Sequence, residues 1–227
     1  MNETGFLLRA LIETFAPFGI FLYLYQKRGG RIQPYLAGIL ALMAIALPRK
    51  GLFALMIPKE EEWAIQIVIS ILIGAFCEEI ARYIAMKYVL TEYDTVIDAF
   101  CYGLGHGGME MLACSRKPWE FFLASLGMIS ETPERMQMIS EISFLENIEI
   151  LFADDCMAIL LHIACSVLVH LAVRYGEKKY FWISVLLHAM NNIFTIYFDV
   201  TGSVLGTAML CYLTYQVYYK NKGEFQL

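Results

Sequence analysis

Charge is scarce in this chain. Asp, Glu, Lys and Arg make up 17% of its 227 residues, against roughly a quarter of a soluble domain. Apolar residues make up 59% and the mean hydropathy is +0.56. A globule of this length has too little interior to hide so much Leu, Ile, Phe and Met, so a water-soluble fold is excluded. CxxC pairs are missing too. The six cysteines (Cys77, Cys101, Cys114, Cys156, Cys165, Cys211) stand singly, five of them inside apolar runs. That argues against a disulfide framework or a thiolate zinc site and for small buried hydrophobes. No basic domain is available to neutralise phosphates, which excludes nucleic acid as a partner. The first residues, MNETGFLLRALIETFAPFGIFLYLY, lack a basic leader and a clear small-residue cleavage site. They read as a retained first span. Internal repeats and low-complexity tracts are also lacking.

What is present is a series of long apolar runs. A span needs about 20 mostly apolar residues, and this measure predicts helices near 5–25, 35–57, 63–90, 96–115, 149–173, 180–199 and 201–218. The second is interrupted by LPRKG at 47–51. The expected fold is all-α: a polytopic membrane helical bundle of about seven transmembrane helices, forming one integral membrane domain over 1–227. Segment 116–148 is too polar to span. Trp119, Phe121 and Phe122 suit an interface, and Met138, Ile142 and Leu145 recur at i, i+4 and i+7, the spacing of an amphipathic surface helix. An ordinary connecting loop is the alternative.

Lys and Arg set the orientation. Lys27, Arg28, Arg31, Arg174, Lys178, Lys179, Lys220 and Lys222 fall on one side of a seven-span chain. The expectation is a multi-pass protein of the cell membrane, amino terminus outside and carboxyl terminus cytoplasmic, with PKEEEW at 58–63 on the outer side.

Charged residues nevertheless lie within the predicted spans, among them Glu78, Glu79, Arg82, Glu110, Asp154 and Asp155. Each costs about 2.5–3.5 kcal/mol at mid-bilayer on insertion scales, so they must meet one another or water in the bundle interior. All four histidines (His106, His162, His170, His188) are in spans as well. Glu78 and Arg82, His106 and Glu110, and His188 and Asn192 are each i, i+4, on one helix face. At a rise of about 1.5 Å per residue, Glu78, His106, His162 and His188 fall about 18, 15, 16 and 11 Å from the cytoplasmic helix ends. Four antiparallel helices thus deliver one polar layer. His170, near a helix end, reads as interfacial. Asp154 and Asp155 either support His162 or line a water path.

Glutamate and imidazole together suit zinc with one position left for water. The metal lowers the pKa of that water, a carboxylate can act as general base, and an asparagine amide can donate to a developing oxyanion. Hydrolysis of a peptide bond within the membrane is the reaction these parts fit. The glycines at 103, 105, 107 and 108 leave room around His106 for a neighbouring helix or a substrate strand.

The same residues resemble the motifs of the CAAX-protease and bacteriocin-processing superfamily of intramembrane proteases. Glu78, Glu79 and Arg82 resemble its Glu-Glu…Arg motif, Tyr102 and His106 its aromatic-x-x-x-His, and His188 and Asn192 its His-x-x-x-Asn. The stretch GLGHGGME, including Glu110, is similar to the YhfC-like branch, and the likeness runs from span three to span six (63–199). Here the arginine follows at EExxR where EExxxR is usual, about 100° further around the helix, and Tyr102 stands where phenylalanine is common. The resemblance implies that Glu78, with His106, activates water, supported by Glu79 and Arg82, while His188 and Asn192 stabilise the oxyanion or hold a metal. The metal set it implies is Zn2+ on Glu78, His106 and His188, with His162 and Glu110 nearby; the substrate is a membrane-embedded or membrane-proximal peptide or protein. Two other readings stay open: a non-catalytic membrane scaffold that keeps the polar layer, and a haem-binding or proton-handling protein.

Overall fold

A computed structural model describes residues 2–57 and 62–221. Among them there is no strand, and the chain is an all-α membrane bundle. The helices are α1 (Glu3–Lys27), α2 (Ile32–Met56), α3 (Trp63–Ile84, prolonged by a π-helical turn Ala85–Val89), α4 (Val96–Cys114), α5 (Arg116–Ser125), α6 (Pro133–Glu141), α7 (Phe144–Ile150), α8 (Met157–Arg174) and α9 (Lys178–Asn221). A π-helical turn, Leu151–Cys156, joins α7 to α8, so that Phe144–Arg174 forms one apolar rod. Part of the predicted PKEEEW stretch, 58–61, and Lys222 lie outside the described residues.

Among the described residues, five segments are long and apolar enough to cross a membrane: α1, α2, Trp63–Val89, Phe144–Arg174 and Lys178–Tyr219. Two differences from a count of seven have physical reasons. The last segment would extend about 60 Å as one helix at 1.5 Å per residue, twice a hydrocarbon core. It folds back on itself at Asp199, whose φ of 52° and ψ of −138° are not helical. A Cβ on Gly202 would lie 2.0 Å from the Phe194 carbonyl oxygen, and Thr207 donates to Asn191 Oδ1 at 3.1 Å. The two arms, 178–198 and 200–221, are the sixth and seventh predicted helices. The other difference is α4, whose glycines, His106 and Glu110 lower its hydropathy. Eleven of its nineteen residues are buried, so protein rather than lipid surrounds it.

α4 is the axis of the bundle. It packs against α1, α2 and α8, while α9 packs against α3 and α8. The approach is closest where side chains are missing. A Cβ on Gly38 would stand 2.1 Å from the Tyr102 carbonyl oxygen, one on Gly105 2.0 Å from the Tyr35 carbonyl oxygen, and one on Gly103 2.5 Å from Ile163 Cα. The glycine run therefore serves helix packing, with backbone already filling the space that a substrate strand would need. Gly105→Ala is expected to destabilise by about 2–3 kcal/mol, the upper range for overpacking. Gly51→Ala, with nothing within 4 Å, should be neutral or stabilising by up to about 1 kcal/mol. Thermal unfolding of both variants in mild detergent checks the contrast.

α2 is continuous across LPRKG, with Pro48 inside it, where an interruption was expected. Segment 116–148 likewise differs from the single amphipathic helix suggested by Met138, Ile142 and Leu145. It breaks at 142–143, and Met138 and Leu145 are exposed. Its apolar contacts run instead through Ala124 and Ile139 onto Phe6 of α1, and Trp119 Nε1 donates to Thr14 Oγ1 at 3.0 Å. Thr132 and Ser143 cap α6 and α7, which gives each short helix its own start.

Candidate active site

α3, α4, α8 and the first arm of α9 each bring polar side chains to one buried cluster. α3 supplies Glu78, Glu79 and Arg82 from its last two turns, all under 7% exposed. Glu78 and Glu79 are neighbours in sequence and so point about 100° apart. This splits the cluster into two linked halves, one around each carboxylate.

Glu79 is the centre of one half. Arg82 pairs with its Oε1, Ser184 Oγ donates to Oε2 at 2.7 Å, and His188 Nδ1 meets Oε1 at 2.8 Å. Arg82 also reaches His162 Nδ1 at 2.9 Å. The arginine thus pairs with Glu79 at i, i+3, not with Glu78 at i, i+4, and the EExxR spacing is what puts it there. Both Glu79 oxygens and both Nη atoms of Arg82 have partners, as burial of such a pair requires, while Arg82 Nε has none.

These contacts fix the protons on two histidines. Arg82 can only donate, so His162 Nδ1 accepts and its Nε2–H donates to Glu110 Oε2 at 2.7 Å. Glu79 as a carboxylate can only accept, so His188 carries its proton on Nδ1 and presents the Nε2 lone pair, 3.8 Å from Glu78 Oε2. A carboxylate behind a histidine in this way is the usual support of a metal-ligating imidazole.

Glu78 is the centre of the other half. Its Oε2 lies 3.5 Å from His106 Nε2 and faces His188. His106 is fully buried, and neither of its ring nitrogens has a hydrogen-bond partner. A buried imidazole with both nitrogens unsatisfied is costly unless something binds it. The His106 and His162 rings are 4.6 Å apart, and the His162 and His188 rings 5.3 Å. The layer read from helix depths is therefore one contiguous cluster.

A cavity of about 310 Å³ opens beside it, lined by Glu78, Glu110, His162, His188, Asn192 and Asp154, among others. His188 and Asn192 share this wall, as their i, i+4 spacing predicts. Asp154 faces the cavity while Asp155 is buried 3.6 Å from Arg9 of α1. The π-helical turn separates these neighbours, and neither touches His162. His170 is absent from the cluster and is buried, 6% exposed, near the end of α8.

Sequence reasoning missed Arg49 and Ser184. Arg49 of α2 pairs with Glu78 Oε1. Its signal was the charge in LPRKG, an ionic residue in an apolar run that needs a partner for the same reason as Glu78. Ser184 carried no signal, since serine is common in membrane helices.

The donor set fits a metal. The ligand atoms of Glu78, His106 and His162 lie within 4.8 Å of one another, as do those of Glu79, Cys165 and His188. The second group is already consumed by hydrogen bonds to Glu79. In the first, both nitrogens of His162 are engaged, by Arg82 and Glu110. The lone pairs left over belong to Glu78, His106 and His188, which are not themselves one of the sets within that spacing.

Comparison with known proteins points the same way. The family model described as YhfC intramembrane metalloprotease matches residues 12–115, which carry Arg49, Glu78, Glu79, Arg82, His106 and Glu110. An uncharacterized membrane protein, YhfC of Bacillus subtilis (strain 168), is 23% identical to this chain, over 82% of this chain and 81% of that protein. No solved structure matches. Together with the motifs, these matches show that this multi-pass membrane protein is similar to the YhfC family.

Proposed function

We propose that this chain is an intramembrane metallopeptidase that hydrolyses a peptide bond of a membrane-embedded or membrane-proximal substrate. The observation that carries the proposal is Glu78, a buried carboxylate at the wall of a cavity, facing His106 and His188. His106 and His188 would hold the metal beside Glu78, and zinc suits the donors. Bound there, the metal supplies Lewis acidity and a water of lowered pKa.

The chain's own residues do the rest. Glu78 takes a proton from the attacking water through Oε2, while its Oε1 is held by Arg49. Asn192, on the same wall as His188, donates its amide to the oxygen of the scissile carbonyl. Glu79, fixed by Arg82 and Ser184, keeps the His188 proton on Nδ1 and so orients Nε2 toward the cavity. Glu110 draws the His162 Nε2–H, and Arg82 occupies the other nitrogen, so His162 serves as a rigid strut between the halves. By the positive-inside rule, the Arg174 end of α8 faces the cytoplasm, with the amino terminus outside.

Metal content per chain tests the ligand assignment. Protein purified in mild detergent without chelator is expected to carry about one zinc by mass spectrometry. His106→Ala and His188→Ala should lose it and His162→Ala should keep it. Retention in His188→Ala with loss in His162→Ala would reassign the second histidine ligand. An empty site in the wild-type protein would remove the metal from the mechanism.

A further inference from the structure

A second cavity, about 1000 Å³, lies apart from the polar cluster, between the start of α4, one face of α8 and the outer arm of α9. None of the candidate site residues lines it. Its walls are mostly apolar, with Phe100, Ile163, Val167, Leu171 and Cys211 along its length. The polar groups gather at one end, where Asp94 and Arg174 approach to 3.5 Å, both in part solvent-exposed. From Leu160 to Arg174 the wall runs about 21 Å along α8. That matches the roughly 20–22 Å from bilayer midplane to the outer limit of the headgroups.

Two buried polar groups face this groove. His170, one turn from Arg174 on the same face of α8, is 6% exposed. Thr214 Oγ1, across the groove on α9, is buried with no hydrogen-bond partner among the described residues. Leaving such groups dry in an apolar groove is unfavourable. An occupant that brings oxygen acceptors to this depth, one helical turn inside a headgroup position, would satisfy both.

We propose that the groove binds one glycerophospholipid with a zwitterionic, primary-ammonium headgroup of the phosphoethanolamine type. The Arg174 guanidinium meets the phosphate and the Asp94 carboxylate meets the ammonium. The paired opposite charges at the rim thus mirror the paired charges of the headgroup. His170 and Thr214 donate to the glycerol ester oxygens, and one acyl chain lies along Val167 and Ile163 toward Leu160. An anionic headgroup without an ammonium would leave Asp94 beside a phosphate, which is how the site discriminates.

The test is native mass spectrometry of the full chain after delipidation and reconstitution in equimolar phosphatidylethanolamine, phosphatidylglycerol and phosphatidylcholine. Wild type is expected to retain one lipid, with phosphatidylethanolamine favoured about tenfold. Arg174→Ala should lose that lipid. Asp94→Asn, at an exposed position that cannot disturb packing, should keep a lipid and lose the headgroup preference. Cys211→Trp, which fills the middle of the groove, should retain none while keeping its metal content. Equal retention of the three headgroups by wild type, or the same bound lipid in all variants, would mean annular lipid only and overturn the site. So would a dimer that Cys211→Trp abolishes, since the groove would then be covered by a second copy of the chain.

Discussion

Glu78→Gln is expected to lower proteolysis by about 10²–10⁴-fold, the range for loss of a general base, while leaving the protein folded. The asymmetry between chemistry and stability follows from where the carboxylate sits. Its strongest partner, Arg49, is about one-third exposed, so an unpaired Arg49 can find water or headgroups, and the cost of breaking the pair is modest. Glutamine keeps the volume and can still accept from Arg49. What it lacks is a basic oxygen opposite His106 and His188. The check is quantitative profiling of new peptide termini in membranes from cells expressing wild type or Glu78→Gln at equal levels. Termini present with wild type and missing with the variant identify substrates in the same experiment. If the two profiles coincide, the polar cluster is a scaffold, and proteolysis is ruled out as its role. A Soret band in the purified protein would point instead to haem.

Most of the bundle was legible because a bilayer leaves few options: apolar runs of the right length must be helices. The bounds of α3 with its π-helical extension, Trp63–Val89, and of α4, Val96–Cys114, fall within a residue of those read from the sequence. The hairpin at Asp199 was legible from length alone, since 42 residues cannot cross once. The polar cluster was legible because charges buried in an apolar chain need partners, and helix depth limits which partners are available. What depth cannot supply is rotation. Whether Arg82 turns to Glu78 or Glu79 is a matter of one residue's 100° step, and nothing in EExxR decides it without the position of α8. The π-helical turn at Leu151–Cys156 shifts the following face by part of a turn, so the choice of Asp154 over Asp155 for the cavity could not be read from an ideal helix. Arg49 was legible in principle. Proline beside a charge in LPRKG, however, reads as a helix break.

Arg82→Ala is expected to be the most destabilising single change in the cluster, at about 3–5 kcal/mol, because it leaves an uncompensated buried carboxylate. Arg82 is fully buried and bridges two acceptors on different helices, Glu79 on α3 and His162 on α8. Its removal strands Glu79 without a cation and frees His162 Nδ1, which releases the histidine that tethers Glu110. Lysine should rescue little, since one ammonium on a flexible stem cannot reproduce a planar fork that meets both partners at once. Glu79→Gln in the Arg82→Met background should recover part of the loss. The neutral amide oxygen can still accept from Ser184 or from His188, and no charge is left unpaired. A melting series in detergent over wild type, Arg82→Ala, Arg82→Lys and the Glu79→Gln/Arg82→Met double variant reads this out. The double variant should melt above Arg82→Ala, but its metal affinity should fall by about 10–100-fold, the usual cost of losing a carboxylate behind a ligating histidine. That split separates the two duties of the Glu79–Arg82 pair: holding α3 to α8, and holding the His188 proton on Nδ1. If stability and metal binding recover together in the double variant, the pair has only the first duty, and His188 is oriented by packing alone.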